Sequence, residues 1–303
     1  MALNADQELA FTNFATFFAK PYRTPILRRP DEYGLKYEDV YFPSLDGTNL
    51  EGWFIPADSD RLLIVNHFLS GSRYGYPGHV LPDDIVGFEV NYLPQYKTLH
   101  DAGYNILAYD LRNHGVSGAA NGGIGGAGLY EYRDVIGSVR YAKSRKDTAA
   151  MKTGLFSICY GANSTIVALS KHPEEFTHIK ALLALQPGSG DVFLERMAEN
   201  LGVDKEEGAK AADQALHIAT GWHLNELSPR EYAKDVTLPT LVVQVHHDSM
   251  VYPKDVQSIY DNVAATDKKL FWIEGTTNRF DGYTYFTDHP ELLLEWFDTH
   301  IDN

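Results

Sequence analysis

A single cysteine, Cys159, excludes an internal disulfide, and no apolar run approaches the roughly 20 residues that a membrane-crossing helix needs. Positive charge is also scarce. Lys and Arg number 26 against 41 Asp and Glu, and the resulting net charge of −15 repels phosphate, which argues against nucleic acid or an anionic membrane as partner. The opening Met-Ala-Leu-Asn-Ala-Asp-Gln-Glu lacks the cationic and apolar regions of a secretory signal, so we expect a cytoplasmic, acidic, soluble enzyme. A phosphate cradle is missing too. The glycine-rich run Asn121 to Gly128 closes no strand and is followed by no Lys-Ser/Thr pair, so it reads as a flexible loop, and no cofactor is implied.

What the chain does contain is a strand-turn-helix pattern around its one cysteine. Lys152 to Ile158 is an apolar strand, and the small residues Gly161, Ala162, Asn163 and Ser164 open a helical segment. The spacing Ser157-x-Cys159-x-Gly161 puts Cys159 at the turn, before a helix N-terminus whose dipole favours thiolate over thiol. A free cysteine can equally be a small buried hydrophobe. This pattern resembles the Gly-x-Ser-x-Gly nucleophile turn of the α/β-hydrolase superfamily, in a form closer to the cysteine-nucleophile dienelactone hydrolases than to the serine esterases.

The rest of the chain follows in an order that the resemblance explains. Residues 1 to 36 form an N-terminal helix and arm: Leu9, Phe11, Phe14, Phe17 and Phe18 recur at helical spacing and the pattern breaks at Pro21, Pro25 and Pro30. That aromatic stripe reads as core-facing rather than as a partner surface. Alternating apolar and polar residues on both sides of Asp46-Gly47 predict a β-hairpin. Arg61 to Leu69 is a mostly apolar strand ending in His67-Phe68, where the family has His-Gly, and the resemblance assigns the backbone amides of Leu69 and Tyr160 to an oxyanion hole. The loop from Ser70 to Tyr96 is long and aromatic, and from its place beside those donors Arg73, Tyr74 and Tyr76 are candidate pocket residues. A pocket-facing Arg73 would suit a carboxylate-bearing substrate. Asp110-x-Arg112-x-x-Gly115-x-Ser117 resembles the exit of the fourth strand, whose Asp and Arg brace loops. Tyr130 to Lys143 is predicted to be a helix.

Residues 190 to 234 are helical and more polar, and the resemblance implies a short cap over the site. Leu238 to Pro253 resembles the segment that delivers the triad acid, which by position is Asp248. His246 and His247 invite a metal, but neighbours on an extended segment point to opposite faces, so no metal site is expected there. The catalytic histidine of the family lies just beyond the last strand, shortly past Gly275. Asn278 stands at that place here. An amide is no base, so a serine would be inert beside it, whereas a cysteine can reach thiolate without a partner. A histidine from elsewhere, His289 or His79, could instead fill the gap.

The expectation is therefore a single α/β domain over residues 37 to 303, a mostly parallel sheet of about eight strands flanked by helices, with a cap insertion at about 190 to 234. The resemblance implies cleavage or transfer at an activated acyl bond (ester, lactone or thioester) of a small molecule through an acyl-Cys159, with Asp248 orienting Asn278. A non-catalytic ligand-binding relic of the same fold is the alternative, and a homodimer is compatible with either.

Overall fold

The computed structural model describes residues 3–81 and 87–302. Ten strands run in chain order as β1 (Glu38–Pro43), β2 (Asn49–Ile55), β3 (Arg61–Asn66), β4 (Gly75–Pro77), β5 (Glu89–Asn91), β6 (Asn105–Tyr109), β7 (Lys152–Ile158), β8 (Ile179–Leu185), β9 (Thr240–Val245) and β10 (Lys268–Ile273). Eight of them form one sheet in the order β1-β2-β6-β3-β7-β8-β9-β10, while β4 and β5 make a small hairpin of their own. Pairing is antiparallel from β1 to β2 and from β2 to β6, and parallel across the remainder.

The apolar runs of the central strands follow from this placement. A parallel strand covered on both faces has no solvent side, and β6 and β9 are buried at every residue. Alternate side chains then divide between two cores. Leu62 and Ile64 enter one, Leu63 and Val65 the other. β1, at the edge, instead alternates exposed and buried positions. The Asp46-Gly47 turn joins β1 to β2 with Val40 opposite Gly52, as the alternating pattern requires.

Ten α-helices lie among the described residues: α1 (Ala5–Ala19), α2 (Leu93–Asp101), α3 (Tyr132–Ser144), α4 (Tyr160–Lys171), α5 (Gly190–Asn200), α6 (Lys205–Thr220), α7 (Pro253–Asn262), α8 (Arg279–Tyr283), α9 (Tyr285–Asp288) and α10 (Glu291–Ile301). α5 and α6 lie within residues 190 to 234. α1 packs along α6, with Phe11 fully buried and one ring edge close to Gly208, so the first helix lies in one layer with α6.

The glycine-rich stretch is also more tightly held than a flexible loop. The buried Glu131 carboxylate accepts from the amides of Gly126 and Gly128, Gly125 donates to the Ala19 carbonyl, and the backbone of Gly128 lies against Asn163. Arg112 ties this region together. It bonds Asp134 on α3, Ser44 and Asp46 of the hairpin turn, and Asn121.

Candidate active site

The carboxyl ends of β3, β7, β8 and β9 and the segment after β10 converge on Cys159. Its backbone has φ 52° and ψ −107°, a strained conformation for a residue with a Cβ. The surrounding chain enforces it. Cys159 N–H donates to the Leu185 carbonyl, Asn163 N–H donates back to the Cys159 carbonyl, and Gly161 N–H donates to the His67 carbonyl. A Cβ at position 161 would lie 2.5 Å from the Asn66 carbonyl oxygen, so only glycine lets α4 start this close to β3. Beneath the turn, the Ser157 hydroxyl bonds Thr165 and Asn66 in a buried polar cluster.

His67 sets the neighbouring loop. Its Nε2 accepts from the Leu111 amide, which leaves Nδ1–H to donate to the Phe68 carbonyl at 2.8 Å. In a trans peptide the N–H opposes the C=O, so anchoring that carbonyl turns the Leu69 amide the other way. Leu69 and Tyr160 both line the cavity over Cys159, and the Tyr160 amide sits in the first turn of α4, where helical N–H groups have no intrahelical acceptor.

Asn278 does not lie between cysteine and acid. Its side chain caps α8 by accepting from the Phe280 amide and donates to Asp281, and it makes no bond to Asp248. The next residue, Arg279, occupies the place. It is 1 % exposed, and its guanidinium gives Nη1–H to Asp248 at 2.5 Å, Nη2–H to the Cys159 sulfur at 3.5 Å and to the Gln186 carbonyl, and Nε–H to the Tyr283 hydroxyl at 2.8 Å. Gln186 returns the grip by donating to the Arg279 carbonyl. Asp248 is held in turn by Gln244 and by the Met250 amide. Burial works against the Arg279 charge, but Tyr283, Asp248 and Cys159 outweigh it and keep the guanidinium protonated well above its ordinary range.

The physical reason for the displacement is local. An asparagine is a favourable N-cap, and once Asn278 caps α8 the following residue is the first to point inward. Arg279 and Tyr283, four apart, then share one helix face. That spacing was the available signal, together with an isolated Arg inside an aromatic segment. His289 is exposed and tilts against Tyr285, and His79 is exposed as well; neither lines the cavity.

The cavity holds about 1060 Å³. Phe68, Tyr76, Arg279 and Tyr283 line it together with Cys159, α1 contributes Asn13, Phe14 and Phe17, and α5 adds Phe193 and Met197. No histidine, aspartate or glutamate lines it among the described residues, and its charges are Arg23 and Arg279. Of the three pocket candidates from the long loop, Tyr76 is in place. Arg73 turns away, paired with Glu51 at 2.8 Å over the Trp53 ring, and Tyr74 donates to Glu89. The loop is pulled inward by Asp110, which accepts the Arg73 amide, so a carboxylate-bearing substrate finds no partner in Arg73. Residues 82–86 of that loop lie outside the described residues.

His246 and His247 do not point apart. They lie in the turn beyond β9, their rings stack at 4.4 Å, and Glu274 accepts from His246 at 2.8 Å. Ligand atoms of the three come within 4.8 Å of one another, close enough to share an ion, on a face that is largely open to solvent. The extended-strand argument fails here because the strand has already ended.

Comparison with solved structures decides the architecture. An esterase of Pyrococcus furiosus, Pf2001, superposes with a TM-score of 0.71 over 94% of this chain and 98% of its own, at 20% identity. The chain has the α/β-hydrolase fold. The α/β hydrolase GrgF from Penicillium shares that fold with a TM-score of 0.58, 19% identity, and coverage of 89% of this chain and 100% of its own. By sequence the chain is similar to YqkD of Bacillus subtilis, an uncharacterised protein, at 22% identity over 273 residues, 84% of this chain and 80% of that one. No family model matches. Cys159 directly follows β7, Asp248 follows β9 and Arg279 follows β10. No helix among the described residues is long and apolar enough to cross a membrane.

Proposed function

We propose that this chain is an acyl-transfer enzyme of the α/β-hydrolase type, which opens an activated ester, lactone or thioester of a small apolar molecule through a covalent acyl-Cys159. The contact of the Cys159 sulfur with the Arg279 guanidinium at 3.5 Å, on the floor of an apolar cavity, carries this reading. A guanidinium presents positive charge to the sulfur without competing for its proton, since arginine stays protonated in proteins. The thiolate attacks the carbonyl, and the amides of Leu69 and Tyr160 receive the oxyanion. Asp248 holds Arg279 in place rather than fixing an imidazole tautomer. The esterase and α/β hydrolase with which the fold is shared lend support to ester chemistry.

Arginine cannot take a proton from water. Acylation is accordingly the fast half of the cycle, and hydrolysis is slow unless an acceptor brings a competent nucleophile. The same fact favours a second reading, in which the site binds a small acyl compound without turning it over. Intact-mass spectrometry with 4-nitrophenyl acetate separates the two. An acetyl adduct on the wild type that is lost in Cys159→Ala supports acyl transfer; no adduct and no released nitrophenol favours the binding protein.

A further inference from the structure

We infer that the Tyr283 hydroxyl is the proton donor and acceptor of the reaction, filling the role that histidine has elsewhere in this fold; this rests on the acyl-Cys159 reading above. Arg279 grips two groups along one edge of its guanidinium. Nε–H donates to the Tyr283 oxygen at 2.8 Å and Nη2–H to the Cys159 sulfur at 3.5 Å. Neighbouring N–H groups of a guanidinium are a rigid fork that normally takes the two oxygens of one carboxylate. Here the fork sets a hydroxyl and a thiol side by side. Because the Tyr283 oxygen already accepts from Arg279, its own hydrogen is aimed elsewhere, and the same guanidinium holds the sulfur on a neighbouring N–H.

The ring is fixed for the task. Phe68 stacks on it at 4.5 Å with an interplanar angle of 19°, and Phe280 meets its edge. Competing groups are absent among the described lining residues: no histidine or carboxylate reaches the cavity, and arginine cannot donate its proton away. Burial raises the Tyr283 hydroxyl well above its ordinary value, with Cys159 adding to the rise and Arg279 opposing it, so the resting site keeps the proton on Tyr283.

The proton balance closes over the full cycle. In acylation the Cys159 Sγ–C bond forms, the bond from the acyl carbon to the leaving oxygen or sulfur breaks, and the Tyr283 proton goes to the departing atom. The phenolate so formed stays beside the Arg279 Nε–H. In transfer an amine or thiol attacks the acyl carbon and gives its proton to that phenolate. The C–S bond breaks, the thiolate returns to Arg279, and Tyr283 is neutral again.

The test is the single-turnover acylation rate, followed by intact mass, across acetates of falling leaving-group acidity from 4-nitrophenyl through phenyl to methyl. In the wild type the rate varies weakly across the series. In Tyr283→Phe it falls steeply, by a few-fold for 4-nitrophenyl and by about 100-fold or more for methyl acetate, the size expected of a lost general acid. An equal loss across the series would mark Tyr283 as structural and overturn the inference. So would a steep dependence in the wild type itself, a measurement that does not need the variant to fold. Failure of the underlying reading looks different: no adduct on wild-type Cys159 with any ester.

Discussion

Two buried arginines, one in the loop after β6 and one opening α8 after β10, do opposite work. Arg112 is fully buried and spends its donors on oxygen atoms of Asp134, Asp46, Ser44 and Asn121, four side chains from three separate segments. Arg279 is as deeply buried, yet it has one carboxylate partner and gives a donor to sulfur on a cavity floor. A guanidinium closed off by oxygens stabilises a junction. One that leaves an N–H on a thiol facing a cavity has, on the function proposed above, a place in the chemistry. What distinguishes them is the chemical nature of the partners and whether one of them faces open space.

The comparison is broken most visibly from the Arg112 side. Arg112→Met leaves Asp134 buried without its cation, and urea unfolding should report a loss of about 3–5 kcal/mol, with the acylation rate per folded molecule unchanged. Next is acid sensitivity near the same junction. Burial pushes His67 down to about 4, so between pH 6.5 and 4 the unfolded chain takes up a proton that the folded chain refuses. Stability therefore falls on acidification across that window, by roughly 3 kcal/mol in full. His114, also lowered by burial, acts in the same direction. Asp134, raised to about 6 by burial, opposes both: below that pH the folded state accepts a proton before the unfolded one does. Urea midpoints from pH 7 to 4 read the net of the three, and the loss of stability on acidification should shrink in His67→Gln.

On the other side, Arg279→Lys keeps a cation but loses the planar fork. Acylation by 4-nitrophenyl acetate should drop on the order of 100-fold. A result within a few-fold of wild type would mean that charge alone suffices. The smallest effect belongs to Asn278→Ala, which removes a helix cap and should cost about 1 kcal/mol in a thermal melt while sparing acylation. Loss of acylation in that variant, with Arg279→Lys active, would reverse the assignment of the two neighbours.

The same contrast explains what could be read from residue order. The hairpin was legible because Asp46-Gly47 is a local turn signal, and the central strands because burial on both faces demands unbroken apolar runs. Cys159 was legible because a strand, a sharp turn and small residues at α4 all lie within fifteen positions. Arg279 was not, because the family pattern fixes the position of a loop but not which of two adjacent side chains turns inward; a helix cap decided that. Arg73 was misplaced for a similar reason, since its direction depends on Asp110 and Glu51, neither of them near in sequence. His246 and His247 misled because the alternation rule was extended two residues past the end of β9.

The docking of α1 on α6 has a consequence in time. These helices begin about two hundred residues apart, so the first helix synthesised has no surface to rest on until most of the chain has left the ribosome. Contacts between segments so distant carry a large loop-closure cost and form late. The strands around the strained cysteine turn, β3, β7 and β8, all precede α6 in the chain, so that turn can form while the roof over it is still open. A nascent chain would pass through a stage in which its one thiol is reachable by molecules that the finished cavity turns away.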